Sequence, residues 1–323
     1  MAGSTLTTEQ LPNAIDRRIK KHFKDTYPTV APKLETIFKI QTQEDAAEYE
    51  EDYQGLGDYE ATQELETYKL DNFGEAYQTI YTPTKYTKRV PLTMEAQMWD
   101  KSGLTKAGYI GSEMAKAAAK TIEAKAASVL LNGFDTSYTS YGDSKPVFSV
   151  GHTRPDGGTA QSNASGSGIV FNEENFETAL IAMQAQKNKR GRLINTMPRV
   201  LLVPPELEKK ALEVTKSIQK SGVSDNDTNV YNMKNYYGGG IRVVVWQYLS
   251  VAAGGTGKAW YLLDSEMCQL IWKWAKKPTV KQDNTTGVQS DTNYWLGMYY
   301  ASYGWSDWVG LWGSAGDGAA YTA

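Results

Sequence analysis

The sequence predicts an α+β fold built from five parts: an N-terminal arm, a long extended loop, a long helix, an α/β unit and a β-rich return. Three observations carry that prediction. First, Ile110, Met114, Ala118, Ile122, Ala126 and Leu130 recur every four residues and, with Ala117 and Val129, form one apolar stripe of helical period. Second, the stretch from Glu44 to Glu75 holds twelve acids and a single base, Lys69, a local net charge of −11 in a chain whose total is −3, so the remainder carries +8. Third, helical and strand-like runs alternate from 170 to 265, and long Tyr- and Trp-rich β runs follow.

Taken in order, residues 1–43 read as an arm. Leu11, Ile15, Ile19 and Phe23 are spaced by four with basic residues between them, which predicts a helix over Thr8–Lys24 that Pro28 and Pro32 break. So short an amphipathic piece is marginal alone and must dock on protein. Leu34–Thr42 is strand-like. Residues 44–92 read as one two-stranded excursion, with turn signals at Gly55-Leu-Gly57-Asp58 and Asn72-Phe-Gly74 and a Tyr- and Thr-rich return interrupted by Pro83. A two-stranded ribbon is not stable by itself and implies a surface beneath it. The helical stripe from Gly103 to Gly133 spans about 38 Å at ~1.5 Å per residue. Its alanines let other backbone approach closely, and Gly133 stands where a left-handed cap falls. It is either an ordinary core helix or a spine on which the rest is laid.

A polar loop over Tyr138–Gly168 follows. Asn172 caps the next helix, with Glu173 and Glu174 in its first turn and Phe176, Leu180 and Met183 facing inward. Arg199–Val203 is a buried strand, Pro204-Pro205-Glu206 opens another helix, and Ile241–Trp246, Ala259–Leu263 and Cys268–Trp274 are further strands. Long β character returns from Lys277, and Gly313–Ala323 reads as loose.

Composition excludes several function classes. With one cysteine, Cys268, and two histidines, His22 and His152, there is no internal disulfide and no Cys/His zinc site. The N-terminus lacks the apolar core of a signal peptide, and no apolar run is long enough to span a membrane. Abundant Tyr (21) and Trp (9) suit surfaces that become buried against partners.

Motif candidates resolve to structure rather than chemistry. Gly254-Gly-Thr-Gly-Lys258 has Ala252 and Ala259 where a phosphate loop needs Gly and Ser/Thr, so it is a turn. Asp225-Asn-Asp227-Thr-Asn229 has Val230 and Tyr236 where a calcium loop needs Gly and Glu. The basic run Lys187–Arg192 is too short and isolated for a nucleic-acid module and reads as helix-end charge. His152 has no sequence signature of a nucleophile and acid beside it, and the acids of 44–75 are too dense for a glycosidase pair. The chain is expected to be no enzyme and to hold no cofactor and no metal.

The order of parts resembles a tailed-phage major capsid protein of the Hong Kong 97 phage fold. Asp143-Ser-Lys-Pro-Val-Phe148, His152, Gly157-Gly158, Ser162-Asn163, Arg192-Leu193 and Pro198–Leu207 resemble the Mu-like major head subunit family. The resemblance implies an arm (1–43), an extended β-hairpin loop (44–92), a peripheral domain with a spine helix (93–133 and 271–323) and an α/β axial domain (134–270). It implies a virion subunit that assembles in the host cytoplasm into hexamers and pentamers of an icosahedral shell. The shell encloses double-stranded DNA without sequence-specific binding, with a separate scaffolding protein and a portal as partners and no membrane. Some relatives crosslink a loop lysine to a peripheral asparagine; Lys69, Asn284 and Asn293 are only generic candidates, and that chemistry is not carried over. Two alternatives stay open: an encapsulin-like cellular nanocompartment shell and a carbohydrate-binding virion module.

Charge polarity sets the expected contacts between subunits. The acidic loop is either a solvated face or one half of a self-complementary contact. For the second reading the candidates are Glu48, Glu50, Glu51, Asp52, Glu64 and Lys69 on the loop, and Arg17, Arg18, Lys85, Lys88 and Arg89 elsewhere. Reversing Glu48, Glu50, Glu51 and Asp52 is expected to impair assembly and spare the subunit fold.

Overall fold

The computed structural model describes residues 10–30, 33–71, 74–93, 95, 99, 107–139, 142–216, 240–283 and 292–321. Of the stretches read from sequence, residues 103–106 of the expected spine, residues 72 and 73 of the expected turn, the calcium-like run at 225–229 and Asn284 lie outside the described residues.

Two four-stranded sheets share one helix. The first has strand order β1 (Lys39–Thr42), β8 (Leu270–Asp283), β9 (Thr292–Trp305), β4 (Thr84–Thr93). β1 runs parallel to β8, and the other pairs are antiparallel. The second sheet has the order β10 (Leu311–Ser314), β7 (Trp260–Leu263), β5 (Val200–Val203), β6 (Arg242–Val245). The helix between them is α3 (Ala107–Leu131). Its C-terminal half, from Ile122 to Leu130, joins one core with Val200, Leu202, Tyr261 and Leu263 of the second sheet and Trp272, Ala301 and Trp305 of the first. Its N-terminal half, through Ile110, Met114 and Ala115, packs with Leu92, Val280 and Trp295. The stripe read from sequence is therefore a spine, widened by Ala119 and Ala127.

The outer face of the second sheet is covered by α4 (Glu173–Gln184) and α5 (Glu208–Lys216), and their Phe176, Leu180, Met183, Ala211 and Val214 meet Leu201, Val203, Trp260 and Trp312. Asn172 caps α4 as expected, its side chain accepting from the Asn175 amide at 2.7 Å. Proline opens a 3-10 turn, Pro205–Leu207, that leads into α5.

Several expectations need correction. α1 (Gln10–Val30) runs through Pro28, which sits in its last turn, so the one backbone bond the proline removes leaves the preceding turns intact. The strand expected over Leu34–Thr42 begins instead as a helical turn, α2 (Leu34–Ile37). The cause is Glu123, a buried carboxylate on α3. Its Oε1 accepts from the backbone amides of Lys33 and Leu34 at 3.2 and 3.3 Å, and its Oε2 accepts from Trp246 Nε1 at 2.6 Å. Gly133 is not a left-handed cap: it is missing from the positive-φ residues, and a Cβ there would lie 2.7 Å from the Phe148 ring. It is a close approach. Residues 44–92 are not one ribbon. β2 (Glu48–Tyr53) pairs with β3 (Glu75–Tyr81), whereas β4, beyond Pro83, pairs along its whole length with β9. The C-terminal tail is not loose, since β10 is an edge strand of the second sheet and Tyr321 stacks on Phe134 at 5.0 Å.

Candidate assembly surface

The ribbon β2–β3 separates two kinds of acid by strand alternation. Glu48, Glu50 and Asp52 share its half-buried face, while Tyr49, Glu51 and Tyr53 point out. Under the inner face lies Lys273 of β8, fully buried. Its Nζ is 2.9 Å from Glu48 Oε1, 2.6 Å from Glu50 Oε1 and 4.4 Å from the centre of the Tyr81 ring. A buried ammonium needs such compensation. Ser306 donates to the other Glu50 oxygen, so the Tyr81 hydroxyl donates to Ser306 Oγ at 2.8 Å. Burial pushes the Tyr81 hydroxyl pKa far above its ordinary value, and Glu50 and Glu48 add to it. Gln43 completes the anchor, donating to the Tyr81 carbonyl at 2.9 Å and accepting from Ser302 at 2.6 Å.

Beyond the paired strands the chain continues as a lobe, residues 54–71, without helix or strand. Its large apolar side chains face solvent: Tyr59 is 105% exposed, Leu65 102%, Leu70 93% and Tyr68 89%. What holds it is charge. The turn 187–192 supplies three cations: Lys189 pairs with Asp52 of the ribbon and with Asp307 at 3.1 Å, Arg190 with Asp71 at 2.6 Å, and Arg192 with Asp58 at 2.8 Å. Burial lowers the Lys189 pKa, and Asp307 opposes the shift. Sequence reasoning missed this role of Lys187–Arg192. The signal was there, in a compact basic run able to complement the dense acidic stretch.

The other candidate contact residues are spread out. Glu48, Glu50 and Asp52 are engaged inside the chain, so reversing them would strike the subunit's own fold, contrary to expectation. Glu51 is exposed on the ribbon and Glu64 on the lobe, and Lys69 pairs with Glu60 within the lobe. Arg17 and Arg18 lie on the outer face of α1. On β4, Lys88 is exposed, Lys85 lies 5.9 Å from the Tyr300 ring centre, and Arg89 stacks 3.6 Å over Tyr294 with Asp283 at 3.9 Å. The arm helix finds its floor within the chain: Ile19 and Phe23 are buried with Met114 and Ala115, and at Gly111 a Cβ would come within 2.6 Å of the Ile19 carbonyl. Tryptophan is core rather than contact surface, with eight of nine residues buried and Trp99 exposed. Among the described residues, the other exposed aromatics are tyrosines: Tyr49, Tyr53, Tyr59, Tyr68 and Tyr109.

Buried His152 lies between Asp143 Oδ2 (2.6 Å from Nδ1) and Asn163 Oδ1 (3.1 Å from Nε2) and stacks on Trp308 at 4.6 Å, so it braces a loop. Among the described residues no group of three or more His, Cys, Asp or Glu could hold a metal ion, and no helix is long and apolar enough to cross a membrane. Gly254–Lys258 lies in the turn region between β6 and β7.

A sequence model of the family described as phage capsid protein matches residues 76–313, from β3 to β10. The chain belongs to the phage capsid protein family. Solved structures show the same fold at low identity. The virus-like particle from Pyrococcus furiosus is 11% identical with a TM-score of 0.51, covering 92% of this chain and 98% of that one. The capsid of an empty GTA particle is 11% identical with a TM-score of 0.53, covering 88% of each chain. Microbacterium phage Oxtober96 is 10% identical with a TM-score of 0.50, covering 84% of each. None of the curated protein sequences matches. The protein is thus a structural protein of a phage capsid with a fold of the Hong Kong 97 type, and the nanocompartment alternative is not favoured. The match begins after β2 and the lobe, so this capsid protein's acidic ribbon tip lies outside the matched span.

Proposed function

We propose that copies of this capsid protein close into an icosahedral shell of hexamers and pentamers around double-stranded DNA, and that the ribbon lobe is the element that reaches the neighbouring subunit. One observation carries the reading: a lobe held to the body through ion pairs to the turn 187–192, with Tyr59, Leu65, Tyr68 and Leu70 left exposed. Contiguous exposed apolar residues rimmed by charge mark a surface meant for another protein. The first sheet with α1 and α3 forms the peripheral domain, and the second sheet with α4 and α5 forms the axial domain around each capsomer axis. β10 is a peripheral-domain tail lent to the axial sheet. Glu51 and Glu64 of one copy face Arg17, Arg18, Lys85 or Lys88 of the next. A separate scaffolding protein and a portal complete assembly in the host cytoplasm. Electron microscopy of the purified protein at high concentration, with and without the scaffold, tests this. Closed shells, rings or tubes are expected; a monodisperse monomer under both conditions refutes it.

A further inference from the structure

Resting on the shell reading above, we propose that the turn 187–192 is the receptor for the lobe of a second copy of the chain, and that a free subunit parks its own lobe there until assembly. The turn is a built site. The Asn188 amide donates to the Arg192 carbonyl at 2.7 Å, Asn188 Oδ1 accepts from the amides of Arg190 and Arg192 at 3.0 and 2.9 Å, and Gln161 Nε2 donates to the Asn188 carbonyl at 3.0 Å. This frame fixes Arg190 and Arg192 before any partner arrives. What they hold is the lobe: Asp71 at 2.6 Å, Asp58 at 2.8 Å and the Leu56 carbonyl at 3.1 Å.

The docking is electrostatic and leaves apolar surface unused. A cavity of about 830 Å³ separates lobe and turn, lined by Leu56, Tyr59, Tyr68 and Leu70 as well as the two arginines. Partly exposed ion pairs are individually weak and screened by salt. Exchange between identical subunits keeps every one of them, because the incoming lobe carries the same Asp58 and Asp71. The net drive is then the apolar surface that closes when lobes and turns of two copies meet. Reach is sufficient: eighteen residues, Gln54–Asp71, folded out and back span about 30 Å at ~3.3 Å per residue. Gly55, with φ +77° and open space around it, is where the chain leaves β2 and can swing.

Two charge-reversed variants test the exchange. R190D/R192D makes the turn acidic, and D58R/D71R makes the lobe basic. Each alone repels its own lobe in cis and in trans, so particle yield is expected to fall on the order of tenfold. An equimolar mixture restores complementary pairs only between different chains, and its yield is expected to return to within about twofold of wild type. Circular dichroism and thermal melting establish that both variants fold. If the mixture stays as poor as its parts while the chain carrying all four changes assembles, docking is confined to one chain and the proposal is overturned. It is equally overturned if either variant alone assembles like wild type. Wild-type protein that fails to assemble in the same buffer removes the shell reading itself, and this proposal with it. As a second readout, D71C/R190C is treated with a short bis-maleimide. Particles are expected to give a ladder of linked chains on a denaturing gel and free subunits a single chain; single chains from particles overturn the exchange.

Discussion

The acidic stretch is two regions that share a charge and little else. At the ribbon base, Glu48 and Glu50 point inward onto a buried ammonium and are tied to the first sheet through Tyr81, Ser306 and Gln43. In the lobe, Asp58 and Asp71 face partly exposed arginines, and the apolar side chains between them touch solvent. Coulomb attraction is strong where water is excluded and weak where it is not. The base is therefore part of the subunit, and the lobe is free to be part of something else.

The largest effect expected from this contrast is at Lys273. K273M removes the cation and leaves Glu48 and Glu50 facing each other over an apolar floor. Breaking a buried pair costs roughly 3–5 kcal/mol, and because both glutamates retain some exposure the lower end applies, about 3 kcal/mol. Chemical denaturation should show it as a lowered midpoint with an unchanged slope. A loss under about 1 kcal/mol would erase the distinction between base and lobe.

The next effect is steric. Gly142 lies so close to β3 that a Cβ would sit 3.0 Å from the Tyr77 Cβ and 3.2 Å from the Gln78 amide nitrogen. G142A is expected to push the ribbon off the body at roughly 1–2 kcal/mol. Hydrogen exchange should rise in β2 and β3 and stay unchanged in β5 and β7.

How much of this was legible follows the same division. The spine, α4 with its Asn172 cap and the buried β5 were readable because each rests on local periodicity or a local cap. What was not readable depended on residues far apart in sequence. Glu123 is one of two acids on an alanine-rich helix, and only the fold brings Lys33, Leu34 and Trp246 to it. Lys273 reads as an ordinary polar position between Trp272 and Trp274, yet its partners lie 225 residues away at Glu48. Tryptophan misled for a related reason: composition counts rings but does not say which face of a strand they occupy. The lobe was legible as acidic and turn-rich, whereas its cis contacts with 187–192 required the three-dimensional chain.

The smallest effect on stability is expected in the lobe, and that is where assembly should change most. The triple substitution Y59S/L65S/Y68S alters side chains that contribute almost no burial in the free subunit, so the unfolding free energy should move by less than about 0.5 kcal/mol. In a contact between subunits the same three side chains would each lose roughly 1.5–3 kcal/mol of apolar burial. Light scattering and electron microscopy should therefore show few particles from a protein whose denaturation curve overlays the wild type. Normal particles would mean that the exposed tyrosines and leucine are solvated decoration. A parallel drop in stability would mean that the lobe belongs with the base, and the contrast between the two regions would be lost.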